Sequence, residues 1–315
     1  MGHRMNLVFC GTPQFAVPTL QKLVEAGHEV RLVVTQTDKP SGRGLEMAVS
    51  PVKRTAREFV LPIAQPDKIK NNEEFRAHLA ALKPEAIIVV GYGRIIPQWM
   101  IDLPPLGNIN LHASLLPKYR GAAPIQWAIA SGEKVTGVTT MRIDAGLDTG
   151  DILLQREETI SQEDTAETLA PRLAATGAAL MIETLRGLEQ GTVAPVSQDN
   201  SRATLAPILK KEDGLVDFNR TGFEIYNRLR GFQPWPGAYT IFRGKQFQIR
   251  SAKPLDRGPD AGLGELVASG GRLLIGCGSN TGLELLEIQL EGKKRMAARD
   301  FIHGYRLIAG ERLGA

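Results

Sequence analysis

The sequence predicts a doubly wound, mostly parallel α/β sheet followed by a small β-barrel, and three observations predict it. Up to Gly191, short apolar runs alternate with segments whose apolar residues recur at helical spacing. From Ile208 onward the pattern changes to short strands between glycine-rich turns. Between the two lies TVAPVSQDNSRATLAPIL (192–209), polar, with two prolines and no period. The expected division is therefore a catalytic domain over 1–191, a linker over 192–209 and a second domain over 210–315.

The first strand is NLVFCG (6–11), ending in glycine, and FAVPTLQKLVEAG follows with helical spacing. HEVRLVVTQ reads as the second strand, VKRTAREF as a helix, LPIAQ as a short strand and NNEEFRAHLAAL as a helix capped by asparagine. EAIIVVGYG is a wholly apolar strand, IPQWMIDL a short helix, GNINLHAS a strand and APIQWAIASG a helix. KVTGVTTMRI and DILLQREETI pair as a hairpin-like unit, and DTAETLAPRLAATGAALMIETLRGLEQG forms a long helix. Strands alternating with helices imply right-handed βαβ units, and such sheets bind ligands at the carboxyl ends of their strands near a topological switch point. The ends of NLVFCG, EAIIVVG and NINLHAS should therefore surround one crevice. In the last third, TGFEIYNRLRGF is a helix, and AYTIFRG, QFQIRSAKPL, GELVASGGRLLIGCG and LELLEIQLEG are strands, a spacing that fits an OB-like barrel.

Composition narrows the class. Of 315 residues, 43% are hydrophobic and 23% charged, as in ordinary water-soluble domains. No apolar run approaches the length of a membrane span, and MGHRMN has no apolar core of a signal peptide. Residues 1–4 read as an upstream start or a remnant of expression. Cys10 and Cys277 form no C-x-x-C pair, so a disulfide framework or zinc knuckle is not expected and a reducing, cytoplasmic setting is. Net charge is +4, and its excess lies late: from Ile208 to Ala315 there are 17 Lys and Arg against 12 Asp and Glu. That bias is what contact with a polyanion requires, although a basic surface also serves solubility.

The stretch GNINLHASLLPKYRGAAPIQ (107–126) carries the chemistry. In a strand, residues i and i+2 share a face, so Asn108, Asn110 and His112 point one way while Ile109 and Leu111 anchor the other. Polar groups so placed need partners or a wet cleft, because unpaired burial costs on the order of 1–3 kcal/mol each. The following loop, SLLPKYRGAAP, turns at Gly121 into a helix. A second acidic segment, RIDAGLDTGDILLQ, crowds Asp144, Asp148 and Asp151 into a glycine-rich bend. It misses the D-x-[DN]-x-[DN]-G calcium spacing, so no metal is expected there.

NINLHASLLPKYRGAAPIQWAI together with DAGLDTGDIL resembles the folate-dependent formyltransferase family, which combines an Asn-x-His strand, an SLLP loop and a downstream aspartate. FCGTPQFAVPTL (9–20), QTDKPSGRG (36–44) and GFQPWPGA (231–238) resemble the members of that family that act on methionyl-tRNA. The likeness runs from about Met5 to the C-terminus. It implies a Rossmann-like formyltransferase domain, 10-formyltetrahydrofolate as formyl-donor cosubstrate, initiator methionyl-tRNA as acceptor and Asn110, His112 and Asp148 as catalytic residues. It also implies that Ser114, Leu115, Leu116 and Pro117 line the folate site. The residue types fit that reaction. Asn110 and a protonated His112 can donate to a developing oxyanion, and Asp148 can orient His112 and relay the proton the amine must lose.

A second signal bears on tRNA. QTDKPSGRGLEMAVSPVKR (36–54) is longer than a usual βα loop and offers Lys39, Arg43, Lys53 and Arg54 against Asp38 and Glu46. Such a loop can order on a phosphate backbone, and the resemblance puts Arg43 at the position that meets the acceptor arm. In the last third, KKRMAARDF (293–301), Arg228 and Arg230 are further candidates, while RGFQPWPGAY reads as a packing corner. A dinucleotide-dependent oxidoreductase is disfavoured, because FCGTPQF lacks G-x-G-x-x-G. A formyltransferase acting on a purine precursor or amino sugar shares the catalytic residues but has no need of the basic loop. A non-catalytic RNA-binding protein has no need of Asn-x-His. The expectation is a monomeric enzyme with no membrane partner.

Overall fold

A computed structural model of the chain describes residues 4–41 and 46–314. It divides into two compact units, one of Met1–Pro124, Val135–Thr159 and Ala170–Ala206, the other of Ile125–Lys134, Ile160–Leu169 and Pro207–Ala315. In chain order the elements begin β1 (Asn6–Gly11), α1 (Val17–Glu25), β2 (Glu29–Val34), β3 (Lys39–Ser41), β4 (Glu46–Ala48), α2 (Pro51–Glu58), β5 (Ile63–Ala64) and α3 (Glu73–Leu82). They continue β6 (Ala86–Val90), α4 (Gln98–Ile101), β7 (Asn108–His112), α5 (Pro124–Ala130), β8 (Val135–Arg142), β9 (Ile152–Thr159) and α6 (Ala166–Glu189).

The first unit is built on a sheet of order β5-β2-β1-β6-β7-β8-β9. The first five strands in that order are mutually parallel, while β8 runs antiparallel to β7 and β9 to β8. Every residue of β6, Ala-Ile-Ile-Val-Val, is buried, as a strand covered on both faces requires. Leu7 to Cys10 of β1 are likewise wholly buried. Local signals start the helices: the Ser50 hydroxyl accepts the Lys53 N–H at 3.1 Å ahead of Pro51, and the Asn72 side-chain Oδ1 accepts the Phe75 N–H at 3.0 Å. Because β2 and β5 lie on one side of β1 and β6 and β7 on the other, connections reverse at β1. The crevice of a doubly wound sheet opens there, and β7 is two strands away.

The stretch 192–209, expected as a linker, is bound to the first unit over 192–206. Val196 exchanges both main-chain hydrogen bonds with Ile152 at 2.8 Å, Arg120 donates its N–H to the Thr204 carbonyl at 2.9 Å, and Ala206 donates to the Arg120 carbonyl at 2.7 Å. Lack of period here reflects a strap held by isolated bridges rather than slack chain.

The second unit contains α7 (Gly222–Gly231), β10 (Ala238–Phe242), β11 (Lys245–Leu255), β12 (Leu266–Ser269), β13 (Arg272–Gly276), β14 (Gly282–Leu290), β15 (Met296–Ala297) and α8 (Ala298–Gly304). Thr221 and Glu224 close a capping box at the start of α7. The sheet is antiparallel, ordered β10-β11-β14-β13-β12, with β15 added on β14. GELVASGGRLLIGCG, read as one strand, folds back on itself at Gly270 and Gly271. Both take positive φ (57° and 74°), the backbone a two-residue hairpin loop demands. Phe242, Phe247 and Phe301 meet at centroid distances of 5.3–6.0 Å in the core. No helix among the described residues is long and apolar enough to cross a membrane.

Candidate active site

Strand β7 distributes its three polar residues unequally. Asn108 is buried, and its amide donates to the Met100 and Ile101 carbonyls at 2.8 and 3.1 Å, satisfying the C-terminal end of α4. Asn110, two residues on and on the same face, is half-buried, and among the described residues its amide has no hydrogen-bond partner. His112 is 5% exposed, and its Nε2 lies 2.9 Å from the Tyr119 carbonyl. The opposite face is wholly apolar, with Leu111 packed so closely on α6 that a Cβ at Gly177 would stand 2.6 Å from it.

Asp148 arrives from the bend between β8 and β9. Its Oδ2 accepts the Gly121 N–H at 2.8 Å and lies 3.6 Å from His112 Nδ1. The structure thus brings Asp148 and His112 together, with both side chains largely shielded. A carbonyl can only accept, so His112 Nε2 carries a hydrogen, and Nδ1 is the edge that faces the carboxylate. At 3.6 Å the pair is just outside direct hydrogen-bond range, within reach of a small rotation or a bridging water. With Nε2–H committed to Tyr119, Nδ1 is the ring nitrogen left to take or give a proton. Asp148 is itself in the left-handed region at φ 51°, a conformation worth noting in a non-glycine residue at a candidate site. Asp144 serves the bend, its carboxylate accepting the Gly146 N–H and the Thr149 hydroxyl.

The SLLP loop is fastened from beneath. Ser114 and Leu116 are buried, whereas Leu115 and Pro117 stay partly exposed. The Thr139 hydroxyl donates to the Ser114 carbonyl at 2.6 Å and accepts the Leu116 N–H at 3.2 Å, and the Gln155 amide donates to the Leu116 carbonyl at 2.9 Å. The Leu116 N–H is thereby committed within the fold. Gly137 leaves room for Leu115, since a Cβ there would stand 2.6 Å from its Cδ2. Thr139 and Gln155 face each other across β8 and β9 and were not anticipated. Their only signal in the sequence is polarity inside strand-like text.

The basic loop is divided. Arg43 lies outside the described residues, as does the side chain of Lys39, whose backbone forms part of β3. Arg54 is exposed on α2. Lys53 does not present a free cation: it is buried, with Nζ 2.5 Å from Asp38 Oδ2 and 2.5 Å from Gln65 Oε1. The Lys53 and Gln65 hydrogen bonds hold the Asp38 carboxyl below the usual carboxylate range. Position explains the correction, because Lys53 falls on the inner face of α2 beside Val52 and Ala56.

In the second unit, Arg230 is buried and donates to the Ser161 and Asp164 carbonyls, and the Arg228 guanidinium covers the rings of Trp127 and Phe232 at 5.7 and 4.8 Å. Both are occupied inside the unit, whereas Lys293, Lys294, Arg295 and Arg299 are exposed. Phe232 of the RGFQPWPGAY corner is buried edge-on against Trp127 at 5.2 Å. Burial pushes the Cys277 thiol up to about 12 and raises that of Cys10 as well, so neither serves as a nucleophile near neutral pH. Among the described residues, no three His, Cys, Asp or Glu side chains converge in a way that could hold a metal ion.

Residues 4–185 match the formyl transferase family, and residues 208–306 match the C-terminal domain of formyl transferases. The chain is 68% identical to the methionyl-tRNA formyltransferase of Koribacter versatilis (strain Ellin345) over 310 residues, which is 98% of this chain and 99% of that one. It is 62% identical to the methionyl-tRNA formyltransferase of Acidobacterium capsulatum, covering 99% of this chain and the whole of the relative. Among solved structures, the sugar 3N-formyl transferase WlaRD, crystallised in the presence of dTDP and 5-N-formyl-THF, superposes with a TM-score of 0.67 at 19% identity. That match covers 93% of this chain and all of the other.

Proposed function

The chain belongs to the formyl transferase family, and from that premise we propose that it transfers the formyl group of 10-formyltetrahydrofolate to the free α-amino group of initiator methionyl-tRNA. The full-length likeness to two methionyl-tRNA formyltransferases carries the choice of acceptor. The chemistry rests on the β7 end, where an amide with no partner among the described residues stands beside a histidine–carboxylate pair.

Residues at the crevice fit the donor. Leu115 and Pro117 offer apolar surface for a flat heterocycle beside the uncommitted Asn110 amide, and Ser114 and Leu116, buried, fix the loop's shape from within. The donor supplies a formyl carbon on a nitrogen able to leave. Asn110 donates through Nδ2 to the formyl oxygen, which gains negative charge as the amine adds. An α-amino group has a pKa of about 7.7–8.0 in peptides, so it must arrive unprotonated or shed a proton, and addition releases another. His112 takes that proton through Nδ1, the edge facing Asp148, while Tyr119 keeps Nε2–H fixed and sets the ring plane. Asp148 stabilises the resulting imidazolium, takes the proton from Nδ1 and passes it on to the departing nitrogen, which restores the carboxylate and the neutral ring.

Arg54, Arg43 and Lys39 meet the tRNA backbone, and the exposed cations at 293–299 add a second electrostatic contact from the OB-like C-terminal domain. The chain works as a monomer in the cytoplasm. One competition assay tests the reading: the protein is supplied with 10-formyltetrahydrofolate, methionyl-tRNA and a free-amine purine precursor together. Formylation of the methionyl-tRNA amine is expected, and exclusive labelling of the small amine overturns it.

A further inference from the structure

We propose that Gln198, locked in one orientation by Arg120, is a positioning residue for the Asp148 carboxylate. The inference rests on the reading of Asp148 as the proton relay. It begins with the strap at 196–206, whose composition carries no catalytic signature.

Arg120 is 7% exposed, and its guanidinium points at amides rather than acids. Nε and Nη2 donate to Gln198 Oε1 at 3.1 and 2.7 Å, and Nη2 donates also to Asn200 Oδ1 at 2.8 Å. A guanidinium has no acceptor, so only the oxygen of Gln198 can face it. The Gln198 amide therefore has one admissible orientation, with its NH2 turned the other way. There Nε2 donates to the Asp148 carbonyl at 2.9 Å and to the Gly150 carbonyl at 2.7 Å. The residue thus grips the main chain on both sides of Thr149, in the bend where Asp148 is held at φ 51°.

The same strap controls the other attachment of Asp148. Arg120 is bound on both main-chain groups by Thr204 and Ala206, and the next N–H, of Gly121, donates to Asp148 Oδ2 at 2.8 Å. Gly121 takes φ 122°, and a Cβ there would stand 2.6 Å from the Ala206 carbonyl oxygen, so the strap passes against it without slack. Main-chain carbonyl and side-chain oxygen of Asp148 are both referred to one segment. Two amides and one guanidinium, with no carboxylate among them, hold the segment that carries Asp148 3.6 Å from His112, and the Arg120 cation is turned to the oxygens of Gln198 and Asn200.

Gln198→Glu separates the donor role from packing. It keeps an oxygen for Arg120 and replaces the donating NH2 by an oxygen set against two carbonyls. Misplacing a reacting group by about 1 Å costs on the order of 10²-fold, so kcat for methionyl-tRNA formylation is expected to fall about 10–100-fold. KM for either substrate should stay within about twofold, because neither is touched. In an Asp148→Asn background the same change should add no more than about twofold. Gln198→Leu, of similar volume and with neither donor nor acceptor, should match the glutamate variant, and circular dichroism confirms that each is folded. Parental kcat in a folded Gln198→Glu protein, or a rise in KM alone, overturns the proposal, as does full additivity with Asp148→Asn. So does failure of both variants to fold, which makes the strap a folding element only. If Asp148→Asn itself retains parental rate, the relay reading has failed first, and that result is seen without any change at Gln198.

Discussion

Two asparagines on one face of β7 do opposite things. At the start of the strand, the Asn108 NH2 is consumed by the last carbonyls of α4; two residues on, the Asn110 NH2 is left without a partner among the described residues. Both lie on one face of one strand, so neither propensity nor periodicity separates them. What separates them is where helices end: the last carbonyls of α4 take up the first position, and the second lies nearer the carboxyl end of β7, the edge at which doubly wound sheets bind ligands. In the proposed mechanism, the scaffold prepares the site by leaving one amide donor unsatisfied.

The largest test breaks the comparison at Asn110, the position proposed to act in catalysis. Asn110→Ala and His112→Ala should each lower turnover by about 10²–10³-fold, the scale measured for loss of an oxyanion donor. Asn110→Ala removes no hydrogen bond among the described residues, so its melting temperature should match the parent's. A folded Asn110→Ala enzyme with parental turnover would remove the amide from the mechanism. Asn108 should respond in the opposite way. Asn108→Ala strands the buried Met100 carbonyl and the partly buried Ile101 carbonyl and is expected to cost on the order of 1–3 kcal/mol in denaturant unfolding, while kcat in the folded protein stays near normal.

How much of this was legible differs by the range of the interaction. Alternating apolar runs announced β1, β6 and β7 and the order of helices between them, because periodicity reports burial directly. The proposed Asn110, His112 and Asp148 set rests on spacing plus resemblance, and the structure brings the last two to 3.6 Å. Gln198, Gln155 and Thr139 were not legible, since an amide bonded to a backbone carbonyl leaves no periodic trace. Lys53 misled for a related reason: a basic residue in a basic stretch reads as surface, and only the turn of α2 reveals that it faces Asp38.

That division within the basic loop is open to a sharper comparison. Arg54→Ala should weaken tRNA binding and reduce its salt slope by about one unit, as loss of a single phosphate contact does. Lys53→Met should leave the slope nearly unchanged and instead lower the stability of the first unit, because it deprives Asp38 and Gln65 of a common partner. Equal effects on the salt slope from both substitutions would mean that Lys53 leaves its ion pair to meet the nucleic acid.

The smallest effect follows from the same pair and depends on pH. Hydrogen bonds from Lys53 and Gln65 hold the Asp38 carboxyl below its ordinary value. A group depressed in the folded state stabilises it above the unfolded value, about 3.9 for aspartate. That contribution disappears as pH falls through the lower, folded value. Asp38→Asn keeps the shape and removes the titration, so the stability gap between parent and variant should be fully open at neutral pH and should close below about pH 4. Because this carboxyl lies near the surface, solvent screens the pair and the gap should be small. Urea unfolding of both proteins across the acid range measures it. A gap that widens on acidification would mean that Asp38 is protonated more readily in the folded chain, the reverse of what its two hydrogen bonds impose.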